Sequence, residues 1–315
     1  MSDWPWQLAS ALSKLLVYGS FVSLTGALFV LCLGAGPCAR KPPGSSPHIL
    51  WSVAARRRIS LLMLCSSGVG FLAMLLFFLL QVGQVNQNGV KGMLDPFMMQ
   101  LLAQTPVGSG TFLRMAGFAL IGLGVAGHWR RLRQEANPPL PGMILGIGML
   151  GVLLCCMGFS MLGHVADLSL SARVLLALHV LVAGLWIGAL YPLYTLCRTE
   201  PAAAVFPLMQ RFGQWGWGIT LTLVGAGVLL LSRLLVSPGE LWTSSYGQLF
   251  SVKIALLLCL LGLAALNKFH LVPALQAAGA GRLQRSIRGE MLLAALILLL
   301  TALLSTVTGP VHLMN

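Results

Sequence analysis

Long apolar runs alternate with short polar stretches along the whole chain, and the polar stretches are rich in arginine. A hydrocarbon core of about 30 Å takes roughly 20 helical residues to cross. Measured with that ruler, the sequence offers eight candidate spans, at 12–35, 59–82, 111–127, 142–163, 173–196, 212–236, 251–272 and 290–309. Lipid offers the backbone no hydrogen-bonding partner, so runs of this length and apolarity form helices rather than open strands. The pattern therefore predicts an all-α fold, a polytopic membrane bundle of eight transmembrane helices. No loop is long enough to bury a core of its own, so residues 1–315 read as a single transmembrane domain.

Charge orients the bundle. The stretches 36–58, 128–140, 197–211 and 268–288 hold fourteen Lys and Arg residues, whereas the alternate loops and both tails hold only Lys91 and Arg173. By the positive-inside rule the first set is cytoplasmic, and both termini are periplasmic. The net charge of +13 thus reads as a topology signal and not as a nucleic-acid footprint. The N-terminal run has no basic leader and no small-residue cleavage site after it, so it reads as a retained span. Composition supports the membrane class, since only 9% of residues are charged and 57% are hydrophobic. Seven cysteines, at 32, 38, 65, 155, 156, 197 and 259, all avoid the external loops, which argues against a structural disulfide. Between the second and third spans, GMLDPFMMQLLAQTPVGSG predicts a short amphipathic helix on the external interface, opened by Asp95-Pro96 and closed before Pro106.

Histidine and methionine near the outer face suggest chemistry. His164 ends the fourth apolar run and His179 lies about two turns inside the fifth. An imidazole in a span costs free energy unless it is partnered, which makes it a site hypothesis. Copper(I) favours thioether, thiolate and imidazole ligands. Met157, Met161 and His164 share one face at i, i+4 and i+7, while Met98 and Met99 lie on the interfacial helix and His312 in the C-terminal tail. Against this, methionine fills gaps between helices without further cause, and a span histidine can simply donate to a neighbouring carbonyl. Gly184 and Gly188 are spaced for close helix packing, and Trp186 between them reads as packing. A ring of bases, Lys14, Arg114, Arg173, Arg233 and Lys253, falls near the external helix ends, where ion pairing with Asp95, Asp167 or Glu240 is favoured over an anionic ligand. Glu290 reads as a cap at the start of helix eight, and Asn267 with Lys268 as the local terminus of helix seven.

Several ordered motifs on separate spans are similar to the bacterial copper-resistance protein D family of inner-membrane proteins. They are TPVGSGTFLRMAGF, GHVAD followed by LHVLVAGLWIGAL, YGQLFSVKIALLLCLLGLAALNKFHLVPAL, and RLQRSIRGEMLLAALILLLTALLSTVTGP. The resemblance puts Arg114, His164, Asp167, His179, Trp186, Lys253, Asn267 and Glu290 on recurring family positions. It implies copper handling at the bacterial inner membrane, commonly import into the cytoplasm, beside a periplasmic copper-binding partner of the copper-resistance protein C type. One departure lies in helix one, where the family pattern has arginine and often histidine, and this chain has Lys14 and Tyr18. The expected function is copper ion transport, with Cu+ or Cu2+ as cargo. A membrane redox protein binding haem through histidines, and a non-transporting docking partner for a copper chaperone, are the alternatives. No nucleophile–base pair, phosphate-binding glycine loop or zinc-protease motif occurs, so no enzymatic activity is expected.

Overall fold

The computed structural model describes residues 4–35, 51–135, 142–161, 169–234 and 239–306, and these are helical with no strand among them. Eight helical stretches are long and apolar enough to cross a membrane. The first three are α1 (Trp4–Ala35), α2 (Val53–Asn86) and α5 (Pro106–Gln134), with the short α3 (Gly89–Gly92) and α4 (Pro96–Ala103) leading into α5. Then come α6 (Gly142–Ser160) and a fifth span made of α7 (Leu170–Ile187) and α8 (Leu190–Thr199). The sixth is α9 (Ala202–Leu234), followed by the one-turn α10 (Glu240–Thr243) and the seventh, α11 (Ser245–Leu266). A π-helical turn, Asn267–Leu271, and the one-turn α12 (Leu275–Ala278) lead to the last span, α13 (Gly281–Leu304).

Several helices begin well before their apolar runs do. α1 starts at Trp4 rather than 12, and α13 at Gly281 rather than 290. Their first turns are polar or basic and extend beyond the purely hydrocarbon stretch, so hydropathy alone misses them. Local chemistry explains the starts. Asp95 accepts from the backbone N–H groups of Phe97 and Met98 and so caps α4, with Pro96 as its first residue. Ser52 caps α2 by accepting from Ala55 N, and Ser244 caps α11 by accepting from Gly247 N.

Helix α1 is the hub, touching α2, α6, α7, α8, α9 and α13. Without a hydrophobic drive between helices in lipid, small residues set how closely backbones approach. At the α1–α7 crossing the contact is backbone to backbone: a Cβ on Gly188 would lie 1.6 Å from the Val22 carbonyl oxygen, and one on Gly26 would lie 1.9 Å from the Gly188 carbonyl carbon. Gly184 and Gly188 therefore form the close-packing surface their spacing predicts. At that crossing the fifth span passes through a short turn at Gly188–Ala189, and α8 beyond it packs on α13. Around the periphery α9 packs on α7, and α11 packs on α13. The space between those two pairs is where the polar side chains of the last three spans collect.

Candidate functional site

A cavity of about 840 Å³ lies among α8, α9, the α11 end and α13. Its wall is largely apolar and aromatic, with Trp186, Phe206, Phe212, Trp217 and Phe269, and a few polar groups converge on it: Gln210, Gln214, Thr220, Asn267, Lys268 and Glu290. Glu290 is 3% exposed and accepts a hydrogen bond of 3.0 Å from Asn267 Nδ2. The other amide atom, Asn267 Oδ1, is buried without a partner. Lys268 Nζ donates to the Gly213 carbonyl at 2.6 Å and sits 4.4 Å from the Trp217 ring centroid. Both Asn267 and Lys268 stand on the π-helical turn, where Val272 N donates to Asn267 O at 2.8 Å. The extra residue in that turn re-aims the side chains around it, and such turns concentrate at functional sites.

A second polar layer lies further along the same helices. The His179 ring on α7 packs over Gly227 of α9, where a Cβ would sit 3.4 Å from the imidazole Cε1. It runs beside the Leu223 backbone, and Lys253 of α11 is within electrostatic reach. Nδ1 is buried and closes no hydrogen bond of good geometry. Gly227 and Gly213 on α9 are fourteen residues apart, as are Lys253 on α11 and Asn267 on the π-helical turn that continues it. At 1.5 Å per residue the two layers are thus about 21 Å apart along the helices. Between them, Val182, Trp186, Ile219, Leu223, Leu260 and Ile297 form a buried apolar cluster. Polar layer, apolar plug and polar cavity are stacked on four consecutive spans.

The remaining sequence-predicted residues are distributed unevenly. His164, Asp167 and His312 lie outside the described residues. Met157 is 55% exposed on the outer surface of α6, while Met161, Met98 and Met99 are half-buried. Among the described residues no three His, Cys, Asp or Glu side chains gather into a group able to hold a metal ion. Cys155 is buried and donates to the Arg114 carbonyl at 3.6 Å. Trp186 is buried in the plug and also lines the cavity, so the packing role read from its spacing comes with a place on the cavity wall.

Three expectations are corrected. Glu290 is no cap: α13 begins nine residues earlier, which places the carboxylate in the helix interior, bonded across to the preceding span. Asn267 does not close helix seven through local bonds, because its side chain reaches Glu290 while the helix continues as a π turn. Arg114 forms no ion pair among the described residues. It is 5% exposed, donates from Nε to the Gly110 carbonyl at 3.1 Å, and lays its guanidinium 4.9 Å from the Phe159 centroid, leaving one terminal nitrogen unpartnered. Lys14 likewise donates to the Ser305 carbonyl, and Asp95 is engaged by its helix N-terminus and by Asn86 Nδ2 at 3.3 Å.

Sequence reasoning missed Gln210, Gln214 and Thr220 as site residues. Gln210 and Gln214 lie at i and i+4 on one face of an otherwise apolar span, with Trp217 one turn on, and that polar stripe was the available signal.

Residues 206–304 match the family model of copper resistance protein D. That stretch takes in nearly all of the sixth, seventh and eighth spans, and with them Gly227, Lys253, Asn267, Lys268 and Glu290. No curated protein and no solved structure matches the chain.

Proposed function

Starting from three spans that are like copper resistance protein D, we propose that this multi-pass membrane protein moves copper ions across the bacterial inner membrane, from the periplasmic side to the cytoplasm. One observation carries this reading: His179 stands inside a span, at the edge of an apolar cluster whose far side opens into the cavity of Glu290 and Asn267. A neutral imidazole is a good ligand for copper through whichever ring nitrogen does not carry the proton. Thioethers suit Cu+ equally well. Met98, Met99, Met161, His164 and His312 supply capture ligands on the periplasmic side in this scheme, with Met157 at the lipid face contributing only if α6 turns.

His179 receives the ion and holds it above the plug. Movement of α9 against α7, and of α11 against α13, opens the plug toward the cavity, as rocking of bundles does in transporters that bind cargo near the midplane. From the cavity the ion is released past Lys268 and Glu290 to the cytoplasm. The protein needs no catalytic residue for this. A soluble periplasmic copper-binding protein of the copper-resistance protein C type is the proposed donor.

Copper accumulation in cells tests the proposal. His179→Ala and His164→Ala are each expected to lower accumulation, and wild-type accumulation in both variants would refute the assignment. Purified protein in liposomes separates transport from mere docking of a chaperone, since only a transporter loads the vesicle lumen. Absorbance of the purified protein checks the haem reading, which requires a Soret band.

A further inference from the structure

Glu290 stands on the proposed release path, yet its surroundings suit a proton better than they suit copper. Among the described residues it is the single carboxylate buried inside a span. Among the described residues its one hydrogen bond comes from neutral Asn267, and no cation lies within ion-pair distance of it. The charged and titratable groups on the surrounding elements are engaged elsewhere. Lys268 is held by the Gly213 carbonyl and the Trp217 face, Arg288 by the Tyr194 hydroxyl, and Arg211 by the Leu33 carbonyl. His270 and Arg198 are exposed, and Lys253 is about 21 Å away along α11. Cys32 on α1 and Cys197 on α8 carry free thiols, the latter buried. A carboxylate buried at membrane depth without a cation costs free energy, and such residues mark ion pathways and proton relays.

Ligand chemistry narrows the choice. Copper(I) is soft, and a lone carboxylate with one amide beside it is a hard, weak site for it. Among the described residues Met209 is the one sulfur side chain on the cavity wall, and no histidine lines it. A proton, by contrast, needs only an oxygen facing a space large enough for water, and Glu290 lines a cavity of about 840 Å³. One negative charge can neutralise one added positive charge, and a second unpaired cation in the same low-dielectric space is strongly disfavoured.

We propose that Glu290 is a proton-carrying residue and that the protein exchanges copper for protons at this cavity. The exchange balances: a copper ion reaching the cavity meets Glu290 as the acid, the O–H bond breaks, and the proton leaves toward the periplasmic side. After the copper departs to the cytoplasm, a cytoplasmic proton re-forms the acid. Asn267 is a positioning residue, holding the carboxyl through Oε1 in either state. This inference rests on the copper-transport reading.

The test uses the full-length protein in liposomes carrying a pH-sensitive dye, with Cu+ supplied outside in a thiol or sulfonated chelator buffer. Wild type is expected to alkalinise the lumen as copper accumulates in it. Glu290→Gln is expected to abolish that pH change, Glu290→Asp to retain part of it, and Asn267→Ala to weaken it. Infrared spectra of the same samples give a second reading that does not depend on flux: a carboxylic-acid band in wild type that falls as copper is added and is missing in Glu290→Gln. Copper uptake by wild type with no lumenal pH change, or an undiminished pH change in Glu290→Gln, overturns the exchange and leaves copper transport standing. Absence of copper uptake by wild type overturns the transport reading and the exchange with it. An unchanged infrared band in Glu290→Gln overturns the assignment of the proton to this residue.

Discussion

Gly188→Ala probes how the site is held, because His179 and Trp186 are positioned by the place where α7 crosses α1. The added methyl carbon would lie 1.6 Å from the Val22 carbonyl oxygen and 2.5 Å from the Val22 carbonyl carbon. An ordinary carbon–oxygen contact is about 3.3 Å, so the two backbones must part by more than about 1 Å. Neither obstacle is a side chain that can rotate away, and overpacking of a rigid contact costs about 1–3 kcal/mol, here toward the upper end. Gly216→Ala on α9 is the control, since its Cβ would meet nothing within 4 Å. Thermal unfolding in detergent or nanodiscs is the assay, with copper binding measured on the same samples. Gly188→Ala is expected to unfold at clearly lower temperature than the control and to bind copper more weakly as His179 and the plug are displaced. Equal stability of the two variants would show that the α1–α7 crossing is not the close contact described, and the argument that it sets the depth of His179 would fail.

Other consequences are as direct. Trp186→Ala removes the largest side chain of the plug and is expected to cost about 3–5 kcal/mol, while letting small ions leak between the two polar layers; an ion-tight variant in a liposome leak assay contradicts the plug. Arg114→Met removes a buried cation with an unpartnered nitrogen and no carboxylate partner among the described residues, so its unfolding temperature is expected to stay level or rise; a fall equivalent to several kcal/mol would reveal a partner. Gly227→Leu places a branched side chain against the His179 ring and is expected to abolish copper uptake while Gly227→Ala, at ordinary contact distance, retains most of it. Flux measurements on the pair decide this, and equal uptake by both would place the copper route elsewhere.

The number and type of spans were legible because each carries its own apolar run, and that signal is local. Helix starts were less legible for the same reason: Trp4 and Gly281 open helices whose first turns are too polar to register as membrane. That error had a functional consequence at Glu290, which looked like a terminal cap only because the apolar run begins there. Gly184 and Gly188 were read correctly, since small residues at helical spacing have few other uses in a span. Nothing in the sequence marks the π-helical turn at Asn267 or the reach of its amide to a carboxylate 23 residues on. The cavity itself was invisible, being made by the spacing of four spans and not by any segment. For His179 the sequence named a residue out of place in lipid, and only packing against Gly227 explains how the ring fits.

Copper K-edge absorption of the purified, copper-loaded protein addresses the central claim most directly. Wild type is expected to show imidazole nitrogen together with sulfur in the copper shell, and His179→Ala to lose the imidazole contribution along with bound copper. An identical spectrum and copper content in His179→Ala would contradict a copper site at the outer edge of the plug.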